Sequence, residues 1–354
     1  MKGLIILLCV FNFQNMFSQV MLDADGAGNT YPLITSVLAP GANPIEVPDC
    51  NHPSFGNHID EVFDNELNTN VFRFFIHTTP DNDRCINFDR QRNEIKTYDQ
   101  SPDNLLGIEG ETVVYKWKFK LQAGFQSSPN FTHLHQLKSV GGSLASMPMY
   151  TLTTRKGTPD QIELRYAETD SQVTLKKTDV TPFINAWLDV TETIKYGTSG
   201  TYEVELKRVS DGAILFTYSN NSIINWRAGA DFVRPKWGIY RSLINVQDLR
   251  DETVSFANFS IEELEPLSVS NSKINNDIFS IVPNSEGNKM YIKNISKKAN
   301  LVQLYGLDGR KISGKTIGPE SEVNLDVSSI SNGVYIVVLK GEQLYQSKLV
   351  IISH

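Results

Sequence analysis

Three short segments place ionisable and hydrogen-bonding side chains at alternating positions: Arg92-Asn93-Glu94-Ile95-Lys96, His133-Leu134-His135 and Lys236-Trp237-Gly238-Ile239-Tyr240. In an extended strand, residues two apart share a face. The alternation therefore predicts Arg92, Glu94 and Lys96 on one polar face. It predicts both imidazoles together on a second, with Leu134 turned inward. It groups Lys236, Gly238 and Tyr240 on a third, over Trp237 and Ile239. Gly238 is expected to let a ligand approach the backbone closely. Imidazole and phenol are proton-transfer groups, and guanidinium and ammonium neutralise carboxylates.

That set suits β-elimination on a uronic-acid polysaccharide. Cations or donors on the uronate carboxylate stabilise the charge that develops when the C5 proton leaves. A base takes that proton and an acid protonates the departing glycosidic oxygen. The chemistry requires no metal or organic cofactor. Gln136 adjoins the histidines. Strict alternation puts Lys138 and Arg241 on opposite faces, so they join a groove only if a bulge intervenes. Arg155 is a further candidate substrate contact, its other reading a solvated surface charge. The structural readings are an Arg92–Glu94 ion pair, worth about 1 kcal/mol or less if exposed, ordinary histidines and a packed Tyr240.

The elements that must hold these segments are strands. From about residue 30 to 265 apolar and polar residues alternate, as in 113–120, 149–154, 162–167, 202–208 and 254–261. Turn sequences such as Gly141-Gly142 and Asp211-Gly212 separate them. Long helical periodicity is scarce; Asn57 to Leu67 reads as a short helix. The expected fold is all-β, a two-sheet antiparallel jelly-roll sandwich over 20–265. The chain of 354 residues carries 33 Lys and Arg against 40 Asp and Glu, a net charge of −7. That balance argues against a general nucleic-acid binder but leaves room for a locally basic groove.

Residues 1–19 open with Met1, Lys2 and Gly3, continue as an apolar run from Leu4 to Phe11, and end at small and polar residues. They read as a secretory signal, cleaved near Ser18 or Gln19 and too short to span a bilayer. No later segment reads as transmembrane. Cys9 leaves with the signal. Cys50 and Cys85 remain, and in an exported chain they are expected to pair as a disulfide. Two cysteines without a second pair make a poor zinc signal. Asp23, Asp25 and Asn29 cluster oxygen donors near the mature N-terminus, where they can contribute to a structural calcium site, or form a flexible turn.

Composition shifts to a polar linker at 266–275, followed by a small β module over 276–354. This tail closely resembles the C-terminal sorting domain of the type IX secretion system. The likeness rests on the Pro283-Asn284 pair after its first strand, the Gly306 to Arg310 hairpin, Asn332-Gly333-Val334-Tyr335 and the basic-apolar end. It implies a small β-sandwich, dealings with that secretion machinery, and release or surface attachment. An Ig-like carbohydrate-binding module is the other reading of the tail.

The three strand segments resemble those of jelly-roll alginate lyases. The first looks like their Arg-(Ser/Thr)-Glu-(Leu/Val)-Arg strand, the second like Gln-Ile-His and the third like Lys-Ala-Gly-Val-Tyr, in the same order. Carried over, the resemblance implies His135 and Tyr240 as the acid/base pair and Arg92 on the uronate carboxylate. His133 stands where the family has Gln. The surrounding sequence looks more like the glucuronan and ulvan lyase branches, with ulvan the first expected polymer. A non-catalytic carbohydrate-binding sandwich is the main alternative. A glycoside hydrolase is the weaker one, because Glu61 to Glu66 lacks the spacing of a carboxylate pair on one strand.

Overall fold

The computed structural model describes residues 19–264, 279–283, 289–298, 300–306, 311–340 and 345–352. The chain divides into two units, 1–267 and 268–354. Apart from Gln19, the expected signal lies outside the described residues, as does the 266–275 linker.

The larger unit is a jelly-roll sandwich of two antiparallel sheets. One runs, from edge to edge, through Val173–Asp179, Gln161–Tyr166, Tyr150–Arg155, Thr132–Gly141, Ala230–Ser242, Arg90–Lys96 and Ile45–Glu46. The other runs through Ile214–Ile223, Gly200–Arg208, Trp187–Lys195, Thr112–Leu121, Glu252–Leu264, Thr69–Ile76 and Ile59–Asp64, with Gln19–Leu22 also paired to Glu252–Leu264. The Thr112–Leu121 strand shows why the sheets close on each other. Val113, Tyr115, Trp117, Phe119 and Leu121 are buried, while Lys116 is exposed and Lys118 and Lys120 are partly so. Trp237, Ile239 and Ile95 meet them from the opposite sheet as part of one continuous core. Full burial of each large apolar side chain contributes about 2–3 kcal/mol.

Two expectations about local structure are corrected. Residues 57–67 hold no helix; Ile59–Asp64 is an edge strand paired with Thr69–Ile76. The reversal between them is set by Asp64, whose Oδ1 accepts the backbone N–H groups of Glu66 and Leu67. The α-helix lies instead at Thr30–Leu38, inside the region read as strand. Thr30, Ile34 and Leu38 recur every four residues on its buried face, a period that a strand cannot use.

The C-terminal unit has its own core, built from Phe279, Met290, Ile292, Val302, Leu304, Leu325, Val337 and Leu339. A three-stranded sheet (Phe279–Pro283, Lys289–Asn294, Glu322–Asp326) and a four-stranded one (Lys311–Ile317, Asn300–Gly306, Gly333–Lys340, Tyr345–Ile352) form it. The 306–310 hairpin and the 283–284 pair extend into residues outside the described set.

Candidate active site

Three adjacent strands carry the chemistry. Ala230–Ser242 pairs with Arg90–Lys96 in unbroken register, placing Tyr240 opposite Arg92, Gly238 opposite Glu94 and Lys236 opposite Lys96. On its other side it pairs with Thr132–Gly141, with Tyr240 opposite His133 and Trp237 opposite His135.

That second pairing is irregular, and so is the register of Thr132–Gly141 against Tyr150–Arg155 between His133 and His135. The extra residue there reverses the alternation. His133 stays beside Tyr240, with ring centroids 5.8 Å apart, and stacks on Phe131. His135 turns between the sheets. Its ring lies 4.4 Å from Trp117 and 5.6 Å from Trp237, and its Nε2 meets Glu192 Oε2 at 2.9 Å. Tyr202 donates to the other oxygen of that carboxylate at 2.6 Å. The expected sharing of one face by the two imidazoles is therefore corrected: His135 is an interior residue and His133 alone faces the polar groups. The same bulge brings Gln136 and Lys138 to the polar face, where Gln136 donates to Glu94 Oε1 and Lys138 sits opposite Arg234.

Tyr240 is the centre of the cluster. The Arg92 guanidinium lies 3.7 Å from its ring centroid, and Arg90 Nη1 donates to its hydroxyl at 3.1 Å. Burial pushes the phenol up, and the charges and hydrogen bond of Arg92 and Arg90 only partly oppose that. Burial also drives the His133 imidazole down to about 3, so it is uncharged near neutral pH. Its Nδ1 is buried with no hydrogen-bond partner.

The cations deeper in the sheet are already matched. Arg92 donates to Asp83 Oδ1 at 2.9 Å and to Glu94 Oε2. Lys236 donates to Glu46 Oε2, and to Glu94 Oε2 at 3.0 Å. Lys96 donates to Glu46 Oε1 at 2.9 Å. Burial would raise the Glu46 and Glu94 carboxyls, but the adjacent Lys236 and Arg92 more than offset it, and both stay well below the ordinary carboxylate range. The expected role of Gly238 as a gap for ligand is also corrected. A Cβ there would fall 2.1 Å from the Asn93 carbonyl oxygen, and φ is +146°, so glycine serves the packing of the two strands.

The floor is nearly closed, with Arg92, Tyr240 and His133 exposing only 9, 8 and 7 %. Around it, Arg90, Lys138, Arg155 and Arg234 are half-buried. Among the described residues Lys138 and Arg234 make no ion pair. Burial, followed by the charges of Lys236, Arg92 and Arg234, lowers Lys138 to about 8. Arg155 lies 3.8 Å from Glu163, which Arg165 holds at 2.8 Å. Arg241 is not part of this surface: it is fully buried and donates to Gln91 on the opposite face.

The expected disulfide joins Cys50 and Cys85, with Cα atoms 6.4 Å apart. Inside the loop it closes lie four side chains that sequence reasoning missed: His52, His58, His77 and Asp81, with ligand atoms all within 4.8 Å of one another. A signal was available, since three of the chain's six histidines fall between residues 52 and 77. In the 23–29 segment named for calcium, Asp23 Oδ1 accepts a hydrogen bond from Asn258. Asp25 and Asn29 are exposed there.

Residues 280–353 match the secretion system C-terminal sorting domain. The C-terminal unit is a type IX secretion sorting domain. It directs the chain to the cell surface or the extracellular space, and among the described residues no helix is long and apolar enough to cross a membrane. No curated protein sequence matches the chain. Solved structures similar to it include the alginate lyase of Aplysia kurodai, at 12% identity and TM-score 0.48, covering 70% of this chain and 98% of that one. The endo-β-1,4-glucuronan lyase of Trichoderma reesei is similar at 15% identity and TM-score 0.42, covering 58% and 86%. A carbohydrate-binding module from a Lactobacillus casei phage protein is similar at 7% and 0.38, covering 69% and 94%. Every one of these scores is below 0.5 and carries nothing about the roles of individual residues.

Proposed function

We propose that the exported chain is a polysaccharide lyase that cleaves a uronate-containing polymer by β-elimination. The observation that carries this reading is the convergence of an uncharged imidazole, a protonated phenol and two guanidinium groups at one point of a cation-rimmed sheet.

His133 replaces His135 in the acid/base pair. Held neutral, it has a lone pair with which to take the C5 proton. The electron pair left behind forms the C4–C5 double bond as the C4–O bond breaks. Tyr240, held protonated, gives its hydrogen to the departing oxygen. Arg92 stacks on the phenol and Arg90 donates to it, so negative charge on that oxygen is stabilised as it forms. The half-buried Lys138 and Arg234, which make no ion pair among the described residues, receive the polymer's carboxylates, with Arg155 beside them sharing Glu163 with Arg165. Lys96, Lys236, Glu94 and Gln136 keep that floor in register.

The test is incubation of the purified protein with ulvan, glucuronan and alginate while ultraviolet absorbance of unsaturated uronate ends is followed. A rise on any of the three supports the reading and identifies the polymer. No rise on any, with retained binding, leaves the carbohydrate-binding module in its place.

A further inference from the structure

We propose that His52, His58, His77 and Asp81 form a divalent transition-metal site of the zinc type, which fixes the disulfide-closed loop behind the Arg92 strand. The Asp81 side chain is fully buried and gathers three imidazoles. His52 Nδ1 lies 2.9 Å and His58 Nε2 3.2 Å from its Oδ1, and His77 Nδ1 lies 3.0 Å from its Oδ2. Four ligands at about 2.0–2.1 Å from a tetrahedral ion stand about 3.3 Å apart, so small movements would complete the shell.

The surroundings fit an ion better than a chance grouping. The His77 backbone N–H donates to Asp81 Oδ2 at 2.6 Å, which orients the carboxylate and leaves Oδ1 for the metal. On its far side His58 Nδ1 meets Asp49 Oδ1 at 2.7 Å, and Tyr31 donates to Asp49 Oδ2 at 2.8 Å. A carboxylate behind a ligating imidazole fixes its tautomer and orientation. Phe55 packs on all three histidine rings, with centroids 4.4 to 5.4 Å away. Three imidazoles and one carboxylate select zinc, copper, nickel or iron over calcium, and four protein ligands make a closed, structural centre. Nearby cysteines do not compete, since Cys50 and Cys85 are bonded to each other.

The site connects to the Arg92–Tyr240 cluster along the chain. Asp83, two residues after Asp81, holds Arg92, and Gln91 Nε2 donates to the Asp81 carbonyl. The metal is a positioning element, remote from the reacting atoms, and its presence does not depend on the lyase reading.

The experiment uses the untagged full chain, stripped with chelator and titrated with zinc and then cobalt. We expect one ion per chain by elemental analysis, a rise in Tm on zinc addition, and the intense visible absorption of four-coordinate cobalt. His52→Ala and His77→Ala alter half-buried rim ligands. Each should abolish the cobalt spectrum and the zinc-induced rise, while its Tm matches that of the stripped parent. The proposal is overturned if the stripped parent gains no Tm and no colour, or if both single variants still bind one ion with the parent's cobalt spectrum. Should a variant fail to fold, the parent's cobalt spectrum and stoichiometry decide alone.

Discussion

The guanidinium of Arg92 lies over the ring of Tyr240, 3.7 Å from its centroid, while Asp83 and Glu94 accept its hydrogen bonds. Arg92 thus supports the phenol, its own charge being met by Asp83 and Glu94. Removing only the hydroxyl should leave the stack and abolish proton transfer. Tyr240→Phe is expected to lower kcat about 10²–10⁴-fold with little change in Tm, measured by initial rates and thermal unfolding. Full activity in this variant would remove Tyr240 from the reaction.

The two histidines should separate cleanly. His133→Asn is expected to reduce kcat about a hundredfold or more while the fold persists. His135→Ala should do the reverse. It leaves Glu192 buried without its imidazole and opens a void beside Trp117 and Trp237, costing about 3 kcal/mol or more, while the folded fraction keeps its kcat. Parallel urea melts and rate measurements on both variants distinguish the roles.

Glu94 takes bonds from Arg92, Lys236 and Gln136 within a floor that is almost fully buried. Glu94→Gln strands two buried cations with only Glu46 and Asp83 to compensate them. A loss of about 3 kcal/mol is expected by denaturant titration, because removing one partner of a buried pair costs more than the pair contributes. A stability unchanged within 0.5 kcal/mol (roughly the effect of an ordinary surface substitution) would mean that water reaches this network.

Lys138 supplies the pH dependence of binding. Its ammonium, lowered to about 8, is charged below that pH and neutral above it. KM for an anionic polymer should rise as pH increases through 8, and Lys138→Met should raise KM at pH 7 and flatten the alkaline limb. The check is a KM–pH series on both proteins at constant ionic strength.

His133 should contribute to the pH dependence of stability with the opposite limb. Its folded value of about 3 lies below the unfolded value near 6.5, so the unfolded chain binds the extra proton between these values. Stability is fully present above 6.5 and drains away as pH falls toward 3. Between pH 6.5 and 5, where most carboxylates are still ionised, His133→Asn should show a shallower fall in Tm than the parent. Identical slopes would place the acid sensitivity elsewhere.

Much of the architecture was legible in the chain. Alternation in the Thr112–Leu121 and Arg90–Lys96 strands announced two faces, the cysteine pairing followed from an isolated pair in an exported chain, and the sorting domain from the resemblance carried by the tail's motifs. The Lys236-to-Tyr240 spacing put both side chains on the polar face because that strand is regular against Arg90–Lys96. Where local pattern and pairing disagreed, pairing won. The Ile59–Asp64 segment became an edge strand because Thr69–Ile76 supplied its partners. Thr30–Leu38 was missed because four-residue periodicity in a nine-residue stretch is a weak signal.

The sequence by itself determined which residue types were present and which faces regular strands would offer them: a guanidinium, a phenol and imidazoles on antiparallel strands of an exported chain. Only the tertiary structure decided which imidazole stands beside Tyr240, since one inserted residue at a bulge exchanges the two faces and no local spacing records it. The gathering of His52, His58 and His77 around Asp81 is likewise invisible along the chain, because it depends on how a loop of 35 residues' separation closes between Cys50 and Cys85.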